Sequence, residues 1–460
     1  MKEYGMKNKH GVLCGFAMKQ GIVCIAAVIV FAGTACDSGG GGTGPGTGPG
    51  TGPGTGPGTG PGTGPGTGLG GGSTLEAQMA WLKTNAESNK DYTIAVSDDE
   101  KIEPQTLSYS GKSNITITLR GSEGEKIVSL SGNGSLFTVE SGVTLVLDSN
   151  ITLKGRKGGD PNNPFDSDYN NTAPLVRVNN GGKLVMNAGA KIIDNAFHYY
   201  STYSRTPVCG GGVHVDSGTF TMNDGEISGN TAYSFNYSTR GGGVWVQLGT
   251  FTMNGGKITE NTASSSSISN YSYGGGVYVN LGTFTMTGGE ITENKLYSLG
   301  SGSSSPAYGG GVYVGASGVF VDSNTSFTME GGKISGNYAY ASDTSAPARG
   351  GGVYMDNDTA FTMSSGEISE NSAYAGTSYT GIGGGVYVGG TFRIVTGTVY
   401  GSDAAEELKN ISNNSASAAL YVYEAATAEH GTLSGAMWTS KGTLTTADDT
   451  INVANGELVP

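Results

Sequence analysis

The chain has 460 residues, with 38 acidic and 25 basic side chains and a formal net charge of −13. Such acidity argues against nucleic acid as a partner and against direct binding to anionic lipid. Two of the four cysteines precede residue 35, so we expect no structural disulfide after signal removal.

The first 35 residues are typical of a secretory signal. A charged start precedes an apolar run at residues 21–32, which is too short to span a bilayer as a helix. Small residues then lead to Cys36 and resemble a bacterial lipobox, in which the cysteine is lipidated. We predict a lipoprotein-type signal at 1–35 and lipid attachment at Cys36, with an ordinary cleaved signal as the alternative. Either Met1 or Met18 is the true start.

A low-complexity tether follows at residues 36–72. Thr43 to Gly66 is six copies of Thr-Gly-Pro-Gly, which holds no hydrophobic residue to pack into a core. We therefore predict a disordered spacer that holds the folded body away from a membrane.

A helical cap is predicted at residues 73–105. Ser73 and Glu76 have the spacing of a capping box. An apolar stripe at helical spacing follows: Leu75, Met79, Leu82 and Ala86. Because the apolar end of a β-helix invites edge pairing, we expect this stripe to cover it.

Residues 106–417 repeat one phrase: Gly-Gly-Gly-Val-x-Val, then Thr-Phe-Thr-Met, then Ile-x-x-Asn. The triple glycines begin at Gly210, Gly241, Gly274, Gly309, Gly350 and Gly383. Apolar and polar residues alternate within each part, as in strands. Three short strands per unit predict an all-β fold, a right-handed single-stranded parallel β-helix of about ten coils with one variable loop per coil. Residues 418–460 lose the repeat and are predicted to be the C-terminal cap.

Stacking of equal coils predicts columns of like residues. The valines, phenylalanines and isoleucines of the phrase should form three interior columns. The asparagines that close the third strand should form a structural ladder at a corner, because Asn tolerates the left-handed conformation and bonds to nearby backbone. The residue before each isoleucine alternates in sign, which favours a solvated outer face: Lys191, Glu226, Lys257, Glu290, Lys333 and Glu367.

The variable loops contain the candidate binding residues. Each of five loops has two tyrosines among Ser, Thr, Ala, Gly and Asn: Tyr233 and Tyr237, Tyr271 and Tyr273, Tyr297 and Tyr308, Tyr338 and Tyr340, Tyr374 and Tyr379. Such loops are typical of recognition surfaces. An outward aromatic column is predicted on the strand after the glycines: Trp245, Tyr278, Tyr313, Tyr354 and Tyr387. Its rings either hold sugar rings or stack on one another to stabilise the sheet.

The coils resemble the pectin-lyase-like β-helix superfamily. The Gly-Gly-Gly-Val phrase, with Phe220-x-x-Asn223 and Phe251-x-x-Asn254, resembles the repeats of polymorphic membrane protein (Pmp) adhesins. Together with the lipobox, tether and capping helix, the chain is similar to β-helix lipoproteins of spirochaete type. The resemblance implies surface exposure, adhesion and a role as a virulence factor.

No catalytic constellation is visible, so we do not predict an enzyme. The four histidines are scattered, and the paired carboxylates of glycosidases and the clustered acids of Ca²⁺-dependent lyases are absent. We predict no cofactor and no metal. A weak Ca²⁺ candidate is Asp166, Asp168 and Asn170, whose spacing lacks the glycine and glutamate of an EF-hand.

The sequence thus predicts a lipid-anchored protein of the cell envelope, held at the outer membrane on its surface or periplasmic side. Its expected role is adhesion to a glycan or a host or matrix protein through the loops. Alternatives are a polysaccharide lyase or hydrolase, a purely structural envelope protein, or a binder of ice or crystal surfaces through its Thr-x-Thr arrays.

Overall fold

The structure is a computed structural model of the chain. It describes residues 72–158, 171–199, 208–266, 270–300, 305–315, 325–342, 346–376, 381–402, 404–413 and 419–423, and the short strands at 427–430, 446–447, 451–454 and 457–458. The predicted signal, Cys36 and the tether lie outside these residues, as do Asp166, Asp168, Asn170 and Tyr379.

The described part is a parallel β-helix with one helix, as the sequence predicts. Three sheets enclose the core, and we name each by its buried column. The Phe sheet has strands Lys90–Val96, Ile115–Gly121, Val143–Leu147, Lys183–Met186, Thr219–Met222, Thr250–Met253, Thr283–Met286, Ser326–Met329, Ala360–Met363, Thr391–Ile394 and Thr427–His430. The Ile sheet has strands Glu100–Ile102, Lys126–Leu130, Ile151–Lys154, Lys191–Ile193, Glu226–Ser228, Lys257–Thr259, Glu290–Thr292, Lys333–Ser335, Glu367–Ser369, Gly397–Val399, Ile451–Ala454 and Glu457–Leu458. The Val sheet has strands Gln105–Leu107, Phe137–Val139, Val176–Val178, Val213–Asp216, Val244–Gln247, Val277–Asn280, Val312–Gly315, Val353–Met355, Val386–Val388, Leu420–Val422 and Thr446–Ala447.

Two further sheets correct the prediction of three strands and a loop per coil. The ends of each variable loop also stack from coil to coil. The Tyr sheet has strands Ala196–Tyr199, Thr231–Ser234, Thr262–Ser265, Lys295–Ser298, Tyr338–Ala341, Ser372–Ala375 and Ile411–Ser412. The seam sheet has strands Val208–Cys209, Thr239–Arg240, Ser272–Tyr273, Ala307–Tyr308, Ala348–Arg349 and Gly381–Ile382. These strands are short and rich in Ser, Thr and Ala, so they give no apolar signal of their own.

The interior columns are confirmed. Phe220 pairs with Phe251, and Val213 with Val244, one coil apart. Neighbouring phenylalanine rings of the column stack with centroids 4.5 to 4.9 Å apart. Nearly all of these side chains are fully buried, so stacking turns a few residues per coil into one continuous core.

The alternating charge row is also in register along the Ile sheet. Lys257 Nζ lies 2.9 Å from Glu290, and Lys333 Nζ lies 3.0 Å from Glu367. These pairs are substantially exposed, and water screens them. They favour the observed register because a like-charge pairing would repel.

The ends of the β-helix lie further out than predicted. Lys90–Val96 already pairs in parallel with the next coil, so the β-helix begins before residue 106. Leu420–Val422 continues the Val sheet beyond residue 417. Antiparallel pairing then ends the sheets, as where Gly397–Val399 meets Ile451–Ala454. The end strands lack the residues that define the repeat. Boundaries of the β-helix drawn from the repeat alone therefore lie too far inward.

One helix, Leu75–Asn85, covers the N-terminal end of the core. The predicted stripe is confirmed, since its members are at most 1% exposed and belong to the main core cluster: Leu75, Met79, Leu82 and Ala86. The predicted capping box is wrong, because Thr74 is the N-cap and its hydroxyl accepts from Ala77 N–H. No helix among the described residues is both long and apolar enough to cross a membrane.

The asparagine ladder is buried and continuous. Asn294 Nδ2 donates to the carbonyl of Ile258 at 2.9 Å and to Asn337 Oδ1 at 3.0 Å. Its own Oδ1 accepts from both the backbone N–H and Nδ2 of Asn261. The ladder runs further than predicted, since it also includes Asn171 and Asn410.

The asparagines of the ladder do not themselves adopt the left-handed backbone conformation, so the predicted reason for the ladder is wrong. In six successive coils, from Asn195 to Asn371, the residue before the asparagine has positive φ, for example Glu260 at 55° and Glu293 at 56°. The asparagine acts through its side chain, which satisfies backbone groups that the turn leaves without a strand partner.

The triple glycine fits against this ladder. Gly274 has φ of 61°, a left-handed conformation that favours glycine. A Cβ on Gly275 would lie 2.3 Å from the carbonyl oxygen of Gly310. A Cβ on Gly276 would lie 2.9 Å from Asn294 Nδ2. Each glycine is therefore required for a separate reason, and the three together bring the turn against the asparagines.

We expect Asn294→Ala to lower the free energy of unfolding by about 3 kcal/mol, because it leaves buried partners in two neighbouring coils without their hydrogen bonds. Asn254→Ala is the matched control, since Asn254 is an exposed asparagine after a Phe-sheet strand of the preceding coil, and its Nδ2 donates to Asn223 one coil earlier. It should cost less than about 1 kcal/mol. Urea unfolding followed by circular dichroism measures both, and equal shifts would contradict the role of the ladder.

Candidate binding surface

The Tyr sheet and the seam sheet pack against each other as a thin extension on the side of the coils. Their contact consists of eight alanines and one leucine: Ala263, Leu296, Ala307, Ala339, Ala341, Ala346, Ala348, Ala373 and Ala375. Ser272 Oγ also donates to the carbonyl of Tyr297 at 2.9 Å. We call this two-sheet extension the fin. Small residues are needed because the two sheets lie close: a Cβ on Gly381 would lie 1.9 Å from the carbonyl oxygen of Ala373.

The outer face of the fin is aromatic. In four Tyr-sheet strands the second residue is buried and the third is not, so the first and third residues face outward. The outward rings are half-buried, and we call them the aromatic face: His198, Tyr233, Tyr297, Tyr338, Tyr340 and Tyr374. All but Tyr338 occupy one register column, which Ser264 interrupts.

The rings of the aromatic face contact one another. Tyr338 is central: its ring centroid lies 6.0 Å from that of Tyr297, 6.0 Å from that of Tyr340 and 5.8 Å from that of Tyr374. His198 and Tyr233 form a second pair at 5.2 Å. Rings that support one another lose little conformational entropy when they bind a partner.

Electrostatically the aromatic face is close to neutral. Burial, followed by the neighbouring tyrosines, raises the pKa of Tyr338 to about 12, so its hydroxyl keeps its proton at neutral pH. Lys295 is an exposed cation beside Tyr297. The face thus offers apolar ring surface edged with hydroxyl groups, which suits a sugar ring or an uncharged peptide segment.

The predicted aromatic column is confirmed as a stack of rings, but its predicted exposure to solvent is wrong. Its five members are between 0 and 6% exposed: Trp245, Tyr278, Tyr313, Tyr354 and Tyr387. They do point away from the core valines, but the seam sheet covers them. Neighbouring rings stack, for example Tyr313 and Tyr354 at 5.1 Å and Tyr354 and Tyr387 at 4.9 Å. We call this the buried ring column, and it stabilises the attachment of the fin.

The tyrosines that precede the glycines belong to that covering layer. Tyr273 and Tyr308 lie in the seam sheet, and the ring of Tyr273 is 4.8 Å from that of Tyr313. Burial raises the pKa of Tyr273 above its ordinary value. Tyr271 is 37% exposed at the border of the fin, and Tyr237 is half-buried there. The loop tyrosines therefore divide between an exposed face and a structural seam.

Sequence reasoning missed two arginines of the seam. Arg349 lies 5.4 Å from the centroid of the Tyr308 ring and 5.1 Å from that of Tyr387. Arg240 lies 5.9 Å from the centroid of Tyr278. Both residues directly precede a triple glycine, so alignment on the glycines could have found this register position.

The part of the chain that the structure describes has no metal centre built from histidine and acidic residues. Among the described residues no group of three or more His, Cys, Asp or Glu side chains could hold a metal ion. His198 joins the aromatic face, whereas His214 stacks on Trp245 with ring centroids 4.0 Å apart.

We expect His214 to make the protein sensitive to acid. Burial, and secondarily the charge of Arg177, lowers the pKa of His214 from 6.5 to about 3. Between these values the unfolded chain binds a proton that the folded chain rejects, so stability falls as pH drops, by about 1.4 kcal/mol per pH unit. His214→Phe keeps a ring in the stack and should flatten the decline of the melting temperature between about pH 6 and 4. An unchanged slope would contradict this role.

Comparison with family models, with curated proteins and with solved structures returned no match for this chain. The resemblance to pectin-lyase-like proteins and to Pmp adhesins therefore stays a prediction from the repeat phrase.

Proposed function

We propose that this chain is a binding protein of the cell envelope that recognises a glycan or a host or matrix protein through the aromatic face of the fin. One observation carries the proposal: the outward residues of the Tyr sheet form a mutually supporting surface of tyrosine rings, clear of the buried core. Rigid amphipathic rings on a fixed scaffold give a large contact area at low entropic cost.

The periodic spacing of the rings adds to this argument. Successive strands of a parallel sheet lie about 4.8 Å apart, so Tyr297, Tyr340 and Tyr374 on three successive coils present a regular row. A polymer with a repeated unit, or an extended peptide, can contact several rings at once. Multiple weak contacts of this kind raise the avidity of a surface whose single contacts are weak.

The envelope location rests on the beginning of the chain. Small residues precede Cys36, and the Thr-Gly-Pro-Gly tether follows it directly. A lipid at Cys36 would hold the β-helix at a membrane, and the tether would keep the fin accessible. Anchoring through a lipid is compatible with an acidic protein, because it requires no attraction between the protein surface and anionic headgroups.

The first test uses a glycan and matrix-protein array probed with the purified full-length protein. The double variant Tyr297→Ser, Tyr340→Ser should lose about 2 kcal/mol of binding energy, roughly thirtyfold in affinity, because it removes two contacting rings. Tyr271→Ser is the control, since it removes an exposed tyrosine outside the aromatic face.

Full binding by the double variant would overturn the assignment of the face. Release of new reducing ends from a retained glycan would instead support the alternative of a polysaccharide-cleaving enzyme.

The second test concerns the anchor. Cells that express the protein and are grown with radioactive palmitate should label the wild type, whereas Cys36→Ala should take up no label, because the thiol is the acylated group. Cys209→Ala is the matched control, since that thiol is buried in the fold. Label that persists in Cys36→Ala would exclude lipidation at this residue.

A further inference from the structure

A basic pocket of about 580 Å³ lies on the Ile sheet near its N-terminal end. Among the described residues that line it, four are cations and one is an acid: Lys101, Lys154, Arg156, Lys157 and Asp194. The chain as a whole is acidic, with a formal net charge of −13. The pocket is therefore a local exception, where positive charge is gathered although acidic residues outnumber basic ones in the chain.

Two of these lysines stand where later coils have hydroxyl residues. Lys101, Ser129 and Lys154 occupy one outward column of the Ile sheet. The column then passes through Ile193 and five serine and threonine residues: Ser228, Thr259, Thr292, Ser335 and Ser369. Since Ser and Thr suit this outward position in five coils, the sheet does not require lysine there. The two lysines are a departure from the repeat that packing of the sheet does not explain.

The spacing of this column allows the lysines to converge on one anion. Adjacent strands of a sheet lie about 4.8 Å apart, so the backbones at Lys101 and Lys154 are roughly 10 Å apart, with Ser129 between them. Lysine has a long flexible stem, so both ammonium groups can reach an anion placed over Ser129. The half-buried hydroxyl of Ser129 can donate to the same anion.

Neutral acceptors hold the other two cations at the wall of the pocket. Arg156 Nη1 donates to Asn133 Oδ1 at 2.6 Å, and Lys157 Nζ donates to the carbonyl oxygen of Gly229 at 3.1 Å. An amide or carbonyl oxygen accepts a hydrogen bond but carries no formal charge. These bonds therefore orient the two side chains without cancelling their positive charge.

Acidic residues compensate the pocket only in part. Asp194 lies 3.9 Å from Lys154 Nζ and 3.6 Å from Lys157 Nζ, so one carboxylate serves two ammonium groups at more than hydrogen-bond distance. Three positive charges remain in excess among the described lining residues. The carboxylate of Glu103 lies beside Gly132 at the border of the pocket. Even with Glu103 counted, two positive charges remain, and their mutual repulsion falls when an anion joins them.

An excess of two to three positive charges favours a ligand with more than one negative charge. A phosphomonoester carries about −1.5 to −2 at neutral pH and offers three acceptor oxygens. A carboxylate or a sulfate monoester carries one negative charge and would leave more of the excess uncompensated. Lysine binds phosphate as a point charge and arginine as a planar fork, and this pocket has both. Its volume is in the range of small-ligand sites, so the group esterified to the phosphate has room as well.

We propose that this pocket binds a phosphomonoester, with the phosphate held between Lys101 and Lys154 over Ser129. The phosphate belongs either to a soluble ester or to the headgroup of a lipid, and the chemistry that recognises it is the same. The pocket lies on a different sheet from the aromatic face, and the proposal does not rest on the function proposed for that face.

Titration calorimetry with the full-length protein compares three ligands that share a sugar ring and differ in their anionic group: glucose 6-phosphate, glucose 6-sulfate and glucuronate. Glucose 6-phosphate should bind saturably and about fivefold or more tightly than the other two, because only its anionic group approaches two negative charges. Inorganic phosphate should compete with it. Binding should weaken as the salt concentration rises, since salt screens exposed charges.

Two variants change the charge of the pocket in opposite directions. Lys101→Gln removes a cation and should weaken the binding of glucose 6-phosphate about fivefold. Asp194→Asn removes the acid and should strengthen binding about threefold. Asparagine tolerates the left-handed backbone at this position, where φ is 52°. Lys257→Gln is the matched control, since it removes an exposed lysine of the same sheet outside the pocket and should bind as the wild type does.

Vesicles identify the source of the phosphate. Phosphatidylcholine vesicles carry either phosphatidic acid, a phosphomonoester, or phosphatidylglycerol, a phosphodiester, and are matched in total headgroup charge. A lipid anchor on the protein contributes equally to both, so the difference between them reports the headgroup. Stronger binding to phosphatidic acid that Lys101→Gln lowers would assign the ligand to a lipid. Equal binding to both vesicles, with saturable binding of glucose 6-phosphate, would assign it to a soluble ester.

Three results would overturn the proposal. The first is no saturable binding of glucose 6-phosphate together with no preference for phosphatidic acid. The second is binding of glucose 6-sulfate or glucuronate as tight as that of glucose 6-phosphate. The third is an unchanged phosphate affinity in Lys101→Gln, or a weaker one in Asp194→Asn, when the thermal midpoint shows that the variant is folded.

Discussion

The contact between the buried asparagine ladder and the triple-glycine turn is the constraint on which the rest of this structure depends. In a solenoid each coil contacts only its neighbours, so register has to be specified again at every step. The ladder does this, because Asn294 bonds to the coil before it and to the coil after it. The glycines make room for it, since a Cβ on Gly276 would lie 2.9 Å from Asn294 Nδ2. Chains of buried hydrogen bonds also polarise and strengthen one another.

The same turn determines where the fin lies. The strand before the glycines and the strand after them are joined by three residues without side chains, so the seam sheet folds directly over the outer face of the Val sheet. Rings on that face, such as Tyr313 and Tyr354, are buried as a consequence. Aromatic residues of one sequence type thus take two roles. Those beside the glycines attach the fin, and those on the Tyr sheet, such as Tyr297 and Tyr340, stay at the surface where a partner can reach them.

Much of the fold could be predicted because the repeat reports register directly. Phe220 and Phe251 occur at the same offset from their glycines, and equal offsets in a solenoid mean vertical contact. The fin could not be predicted in this way. Its strands, such as Thr262–Ser265, have no hydrophobic alternation, and their pairing depends on the neighbouring coil holding them in place. The candidate site was therefore only partly foreseen. The loop tyrosines were found, but their division between surface and seam was not, because exposure depends on what covers a strand and not on the strand itself.

The sequence by itself determined the parallel coils, the columns of the core and the asparagine ladder, since each is a local phrase repeated at a fixed period. Only the tertiary structure decided which aromatic residues face solvent and where the coils begin and end. The physical reason is that each repeated residue contacts the equivalent residue of the next coil, so its contacts follow from the repeat. The residues that vary from coil to coil contact different neighbours, and only the folded structure shows which neighbours these are.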